Sequence, residues 1–190
     1  MQNLSLETIL KARAIKLLLT DCDGVLTDGG VYYTINGEKM KKFSLRDGMG
    51  VERLRTMANI ETGIITGESS SIVKKRAKKL SIKEYHGGVK NKLLKFQEII
   101  ARKKLHPCHV AYIGDDTNDL EIMQHVGLCA CPADAFPEII KISTIVVENK
   151  GGYGAFRDFA EILINCQLKK INFEANSFQT NVNPDILCEI

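Results

Sequence analysis

No stretch of this sequence has the length and apolarity of a membrane span; the longest apolar runs, such as Ile15 to Leu19, are of strand length. The N-terminus lacks a basic region followed by an apolar run and a cleavage site, so neither export nor a membrane partner is expected. A strong excess of one charge is also missing. Lys and Arg number 26 against 23 Asp and Glu, and the resulting +3 is too small to point to nucleic acid. The six cysteines, Cys22, Cys108, Cys129, Cys131, Cys166 and Cys188, lack the paired spacing of a disulfide framework or a zinc knuckle. A reduced, cytoplasmic setting follows as an expectation. Cys129-Ala130-Cys131 reads as a buried strand whose thiols pack as small hydrophobes, in preference to a soft-metal cluster with His106 and His109. Internal repeats and low-complexity tracts are absent.

What remains is an ordinary globular balance, 44% hydrophobic and 26% charged over 190 residues, enough for one domain with a buried core. The periodicity alternates between strand and helix. A helix over 3–14, capped by Asn3 or Ser5, precedes a buried strand over 15–20. Polar–apolar alternation from Gly30 to Phe43 is interrupted by Asn36-Gly37, a two-residue hairpin turn signal. Then follow helix 47–57, strand 60–66, helix 69–79, a short strand near Tyr85, helix 91–103, strand 109–113 and helix 118–125. Strand 128–131, a short helix after Pro132, strand 144–147 and helix 154–165 complete the pattern. Strands separated by helices predict an α/β fold, a mainly parallel Rossmann-like sheet between two helical layers, because parallel neighbours need long crossovers. One domain is expected over 1–165, with the hairpin at 30–43 as a flap, and an irregular tail over 166–190.

In such a sheet ligands bind beyond the carboxyl ends of the strands, and the unusual residues of this chain sit there. Asp21 and Asp23 flank one residue after the first strand, so in extended backbone they project to one side. Two close carboxylates raise one another's pKa unless a cation or hydrogen bonds intervene. Asp21 is placed to attack phosphorus and Asp23 to protonate a leaving oxygen, with Gly24 permitting the turn; the plain alternative is an Asp-rich turn. Thr66-Gly67 offers a hydroxyl and N–H groups at the end of another strand. Lys92 opens a helix, either as a charge partner for the site or as a solvated surface residue. Asp115, Asp116 and Asp119 form a second acidic group, whose hard oxygens suit Mg²⁺.

In that order and spacing, Asp21-x-Asp23-Gly-Val-x-Thr27, Thr66-Gly67, Lys92 and Gly114-Asp115-Asp116-x-x-Asp119 resemble the four motifs of the haloacid dehalogenase superfamily of phosphatases, over roughly residues 15 to 165. The resemblance implies that Asp21 is nucleophile and Mg²⁺ ligand and that Asp23 is the general acid and base, binding the ion through its carbonyl. It makes Thr66 and Lys92 phosphate binders and Asp115 a direct ligand, with Asp116 and Asp119 supporting the metal's waters. Asp28-Gly29, Phe43 to Gly50 and Lys150 to Arg157 are similar to the capless branch acting on phosphates of 3-deoxy-2-ulosonic acids. Neither interval that holds a cap in relatives is long enough for one. That branch implies a homotetramer, built through the hairpins, in which a neighbouring subunit covers each active site.

Octulosonate 8-phosphate is the first expected substrate, serving KDO and lipopolysaccharide synthesis. One departure favours a nine-carbon nonulosonate 9-phosphate instead: Glu68 stands where the octulosonate branch usually has arginine, and Lys79 follows eleven residues on. The proposed substrate contacts are Asp23, Ser44, Leu45, Arg46, Asp47, Gly48, Gly67, Glu68, Arg76, Lys79 and Lys92, with Arg46 and Arg76 as partners for the substrate carboxylate. A non-catalytic tetramerisation module and a phosphotransferase are the readings from other classes. The first is opposed by the filled motif positions, the second by the lack of a visible acceptor site.

Overall fold

A computed structural model describes residues 4–168; Asn3 as a cap, Cys188 and residues 169–190 of the expected tail lie outside that range. Ser5 accepts a hydrogen bond from Thr8 N and so starts α1 (Leu6–Ala14), the first of several helices opened by a side-chain cap. β1 (Leu17–Thr20) follows, then β2 (Thr27–Thr34) and β3 (Gly37–Phe43), which pair as the expected hairpin. Ser44 caps α2 (Leu45–Met57). β4 (Glu61–Ile65), α3 (Ser71–Lys79) capped by Ser70, β5 (Glu84–His86) and α4 (Lys92–Lys103) capped by Asn91 complete the first half. The second half runs through β6 (Val110–Ile113), α5 (Leu120–Met123), β7 (Leu128–Cys131), α6 (Pro137–Ile142), β8 (Ile145–Val146) and α7 (Ala155–Leu168).

Six strands form one parallel sheet in the order β5-β4-β1-β6-β7-β8. β1 lies inside, with Leu17–Thr20 against β4 on one edge and β6 on the other. Both faces of β1 are buried, so alternation sends Leu18 into one core and Leu17 and Leu19 into the other. The first core gathers Ala12, Leu54, Val73, Phe156 and Phe159 from α1, α2, α3 and α7; the second gathers Phe96, Ile99, Ile122 and Ile139 from α4, α5 and α6. This is the expected three-layer α/β arrangement. Truncating Leu18, which is fully buried, would cost about 2–5 kcal/mol.

The structure moves several expectations. Thr34 pairs with Gly37, so the hairpin loop is Ile35-Asn36; Gly37, at φ +94°, takes the left-handed position just after the turn, which suits a residue without Cβ. The helix expected from Asn118 begins as a 3₁₀ turn over Thr117–Asp119 capped by Asp116, because Asp119 turns inward. The short helix expected after Pro132 runs over Pro137–Ile142, with Pro supplying the fixed φ of a first turn. α7 runs to Leu168, beyond the expected boundary at 165, as Leu163, Ile164 and Cys166 continue its buried face. Cys22, Cys129, Cys131 and Cys166 are buried free thiols as expected. Cys108 is disulfide-bonded, against the expectation of no paired cysteine, because spacing along the chain alone does not reveal pairing. No described helix is long and apolar enough to span a membrane.

Candidate active site

The register of β1 dictates what meets what. Thr20 pairs with Ile64 of β4 and Ile113 of β6, so the residues just past these pairs leave the sheet side by side. Asp21 continues the ladder through its N–H to Ile113 O at 3.0 Å, Thr66 follows β4, and Asp115 follows β6. The chain leaves β1 toward β4 in one direction and reaches β6 in the other, which makes this the switch point of the sheet.

Asp21, Asp115 and Asp119 each bring one carboxylate oxygen within 4.8 Å of the others. Asp21 is 5% and Asp119 0% exposed. Lys92, at the first position of α4, is also buried and sets its ammonium 2.8 Å from Asp21 Oδ1 and 2.6 Å from Asp119 Oδ1. The contact to Asp21 is an ion pair without hydrogen-bond geometry, so Asp21 Oδ1 accepts no hydrogen bond, and neither does the buried Asp115 Oδ1. Two unfilled, mutually repelling acceptors are a good fit to a hard divalent cation. Burial, then the charge of Asp119, pushes the Asp21 carboxyl up to about 7, with Lys92 opposing. Burial, then Asp21 and Asp119, pushes Asp115 up to about 8. Burial disfavours the Lys92 ammonium, but Asp21 and Asp119 outweigh it and hold its pKa above the ordinary value.

Gly24 shapes this pocket. Its φ is +89°, and a Cβ there would overlap the Asp115 carboxylate. Asp23 is held from the hairpin strands: Thr27 Oγ1 donates to its Oδ1 at 3.1 Å, and Lys41 Nζ donates to its two oxygens at 2.7 and 2.6 Å. Thr66 is buried, held by its N–H to His86 O at 2.9 Å and by Val89 N, which donates to its carbonyl at 3.0 Å. Gly67 and Glu68 follow it, with Glu68 exposed.

Asp119 differs from its expected place beside a metal's waters. Its Oδ1 accepts from Lys92 Nζ and from Tyr112 Oη, both at 2.6 Å, and its Oδ2 from the N–H of Asp115 at 3.0 Å and of Asp116 at 3.4 Å. With four donors it is satisfied within the protein, and it anchors the lysine and the Asp115 loop. Asp116 is not brought into the cluster; it is exposed and caps the 3₁₀ turn through Thr117 N at 2.6 Å. Among the substrate candidates, Arg46, Leu45, Glu68 and Lys79 are exposed. Asp47 and Gly48 are buried in α2, where Asp47 Oδ1 accepts from Arg157 N at 2.9 Å; burial lifts the Asp47 carboxyl to about 6 against that hydrogen bond. Arg76 tucks beneath the start of α2, donating to Ser44 O at 3.1 Å with its guanidinium over the Phe43 ring. Ser44 serves as the cap of that helix.

Sequence reasoning missed Tyr112 and Lys41. A tyrosine inside an otherwise apolar strand was a usable signal, since a buried phenol needs a partner. Burial and the charge of Asp119 push its pKa well above 10, so it stays a donor.

Comparison with known proteins fits this geometry. The 3-deoxy-D-manno-octulosonate 8-phosphate phosphatase KdsC of Escherichia coli K12 is 40% identical over 165 residues, 87% of each chain. The chain belongs to this phosphatase family. A model of haloacid dehalogenase-like hydrolases, the wider group, matches residues 85–154. The family's crystal structure from Yersinia pestis superposes with a TM-score of 0.82 at 38% identity, over 85% of this chain and 87% of that one. The enzyme from Moraxella catarrhalis, solved with magnesium, phosphate and KDO, gives 0.81 at 33% identity, over 86% of this chain and 94% of that one. Membership makes the chain a phosphoric monoester hydrolase of the haloacid dehalogenase type and sets aside the tetramerisation module as its function.

Proposed function

We propose that this protein hydrolyses 3-deoxy-D-manno-octulosonate 8-phosphate by way of an aspartyl-phosphate on Asp21. The observation that carries the reading is the set of buried Asp21 and Lys92 with half-buried Asp115, at the strand ends that also carry Thr66, in a chain 40% identical to enzymes of that name. Asp21 attacks phosphorus as the bond to the sugar oxygen breaks, and Asp23 gives that oxygen its proton. Asp23 then takes a proton from the water that attacks phosphorus, which releases phosphate and restores Asp21. Lys92 and the Thr66 hydroxyl offset and orient the charge of the phosphoryl oxygens. Mg²⁺, held by Asp21, Asp115 and the Asp23 carbonyl, would neutralise charge between nucleophile and phosphate. Asp119 keeps Lys92 in place.

A nonulosonate 9-phosphate is the second reading, favoured by Glu68, an exposed carboxylate where an acid-binding arginine would serve an octulosonate. Arg46, exposed and without an ion pair among the described residues, is the proposed partner of the substrate carboxylate. Assembly as a homotetramer is supported by the hairpin, whose Tyr33 and Ile35 are 69% and 102% exposed beside Val31, Tyr32 and Met40. The four free buried thiols favour a cytoplasmic setting, and disulfide-bonded Cys108 counts against it. The test is a steady-state screen with Mg²⁺ against octulosonate 8-phosphate, nonulosonate 9-phosphates and hexose phosphates. The octulosonate ester should exceed hexose phosphates in kcat/KM by on the order of a hundredfold. A higher value for the nine-carbon ester moves the assignment to the second reading, and parity with hexose phosphates overturns both. Sedimentation of a variant with a shortened hairpin checks assembly: smaller species are expected, and an unchanged tetramer refutes the hairpin's part.

A further inference from the structure

The hairpin reaches the chemistry from its own subunit through one side chain. Lys41 of β3 has a side chain only 3% exposed and contacts both oxygens of Asp23. It also lies 3.4 Å from Glu38 Oε2, and Glu38 Oε1 accepts from Ser70 Oγ at 2.5 Å, at the cap of α3. Strict alternation along a strand would send residues 38 and 41 to opposite faces. The pairing does not stay strict. Met40 pairs with Tyr32 but Glu38 with Tyr33, which leaves Lys39 as an extra residue. This bulge re-aims the strand and brings Glu38 and Lys41 to the same side, over the loop that carries Asp23. Residues of a surface hairpin are seldom buried ion pairs, and burying an ammonium is costly unless a partner receives it.

We propose that Lys41 is a positioning residue for Asp23, fixing its carboxyl where it serves the leaving oxygen, with Glu38 and Ser70 clamping the hairpin that carries it. The inference rests on the acid–base role of Asp23 given above. Three contacts converge on that carboxyl, two from the Lys41 ammonium and one from the Thr27 hydroxyl at the start of β2, and only Lys41 comes from β3. Removing it leaves Asp23 tethered by Thr27 alone and free to swing.

A series of aryl phosphates with leaving groups from p-nitrophenol to phenol tests this. Value of kcat/KM reports steps up to aspartyl-phosphate formation, in which a poor leaving group needs the acid and p-nitrophenolate hardly does. Lys41→Met should lower kcat/KM for phenyl phosphate by about tenfold more than for p-nitrophenyl phosphate, with KM little changed. Lys41→Arg should recover much of that gap, and Glu38→Gln should show a smaller loss of the same kind. Asp23→Asn supplies the reference for complete loss of the acid. Equal losses across the series would mean a merely structural role and would overturn the proposal, as would a rise in KM alone, which marks a substrate contact. If Asp23→Asn itself leaves the leaving-group dependence unchanged, Asp23 is not the acid and the proposal falls with it. Failure of the octulosonate assignment leaves the aryl series decisive, so the two outcomes are read separately.

Discussion

Withdrawing Mg²⁺ should destabilise this protein in a way that grows with pH. The ordinary carboxyl value of 3.8 rises to about 7 at Asp21 and about 8 at Asp115. One unit corresponds to about 1.4 kcal/mol; burial, the larger cause, acts on each group separately and their mutual repulsion is counted once, so ionising both in the metal-free fold costs on the order of 5–10 kcal/mol. The sign follows from which state holds the protons. Between pH 4 and 8 the folded carboxyls keep protons that the unfolded chain has released, so the stability present at low pH is lost as pH rises through about 7 and 8. Asp47, lifted to about 6, adds a part of the same sign that Mg²⁺ does not touch. The acids held below their ordinary values, Glu84 and Glu161 among them, are ionised in both states above pH 5.5 and contribute no slope. A cation present at about a hundred times its Kd adds roughly 2.7 kcal/mol, which for a chain of this size moves Tm by roughly 5–10 °C. Thermal unfolding with Mg²⁺ and with a chelator, at pH 5.5, 7 and 8.5, measures this. At fixed Mg²⁺ the Tm shift should be large at 8.5 and near zero at 5.5, because protons compete for the same oxygens. A shift as large at 5.5 as at 8.5 would refute the reasoning.

Asp21→Asn should fold and lose turnover by several orders of magnitude in steady-state assays, since the amide is no nucleophile; a tenth of the activity retained would exclude the covalent route. Gly24→Ala combines a left-handed backbone with a Cβ inside the Asp115 carboxylate, so Mg²⁺ binding by calorimetry should weaken about tenfold or more alongside a stability loss of about 1–2 kcal/mol. Asp119→Asn has one oxygen for four donors, so its amide nitrogen must face either Lys92 and Tyr112 or two backbone N–H groups; denaturant unfolding should show a loss of about 3–5 kcal/mol. Tyr112→Phe removes one of those donors and should cost only about 1–2 kcal/mol in the same experiment.

Much of this arrangement was legible in the residues because it follows from period and spacing. Strand–helix alternation announces a parallel sheet, and the residue after each strand falls at its carboxyl end, which is where Asp21, Thr66 and Asp115 are found. Lys92 was visible as a lysine opening a helix, but its burial against two aspartates was not, since that depends on how far α4 sits from β1 and β6. Asp116 and Asp119 look alike in sequence. The 3₁₀ turn points one outward as a cap and the other inward to four donors, and spacing alone does not separate them. Lys41 was hidden by the bulge at Lys39, because alternation, the rule by which a strand is read, fails at an inserted residue. Arg76 looked free for a substrate on its lysine-rich helix, yet the packing of α3 beneath α2 turns it toward Ser44 O.

The interior position of β1 also bears on how the chain reaches this state. Leu17 must find Glu61 on one side and Val110 on the other, two pairings across long loops, and such distant contacts form slowly because loop closure is unfavourable until they are made. Asp21 and Asp115 come together only when β1 and β6 do, so their repulsion arises with that non-local pairing. An ion bound by both should slow unfolding, and whether it also speeds folding reports whether that pairing is already made at the barrier.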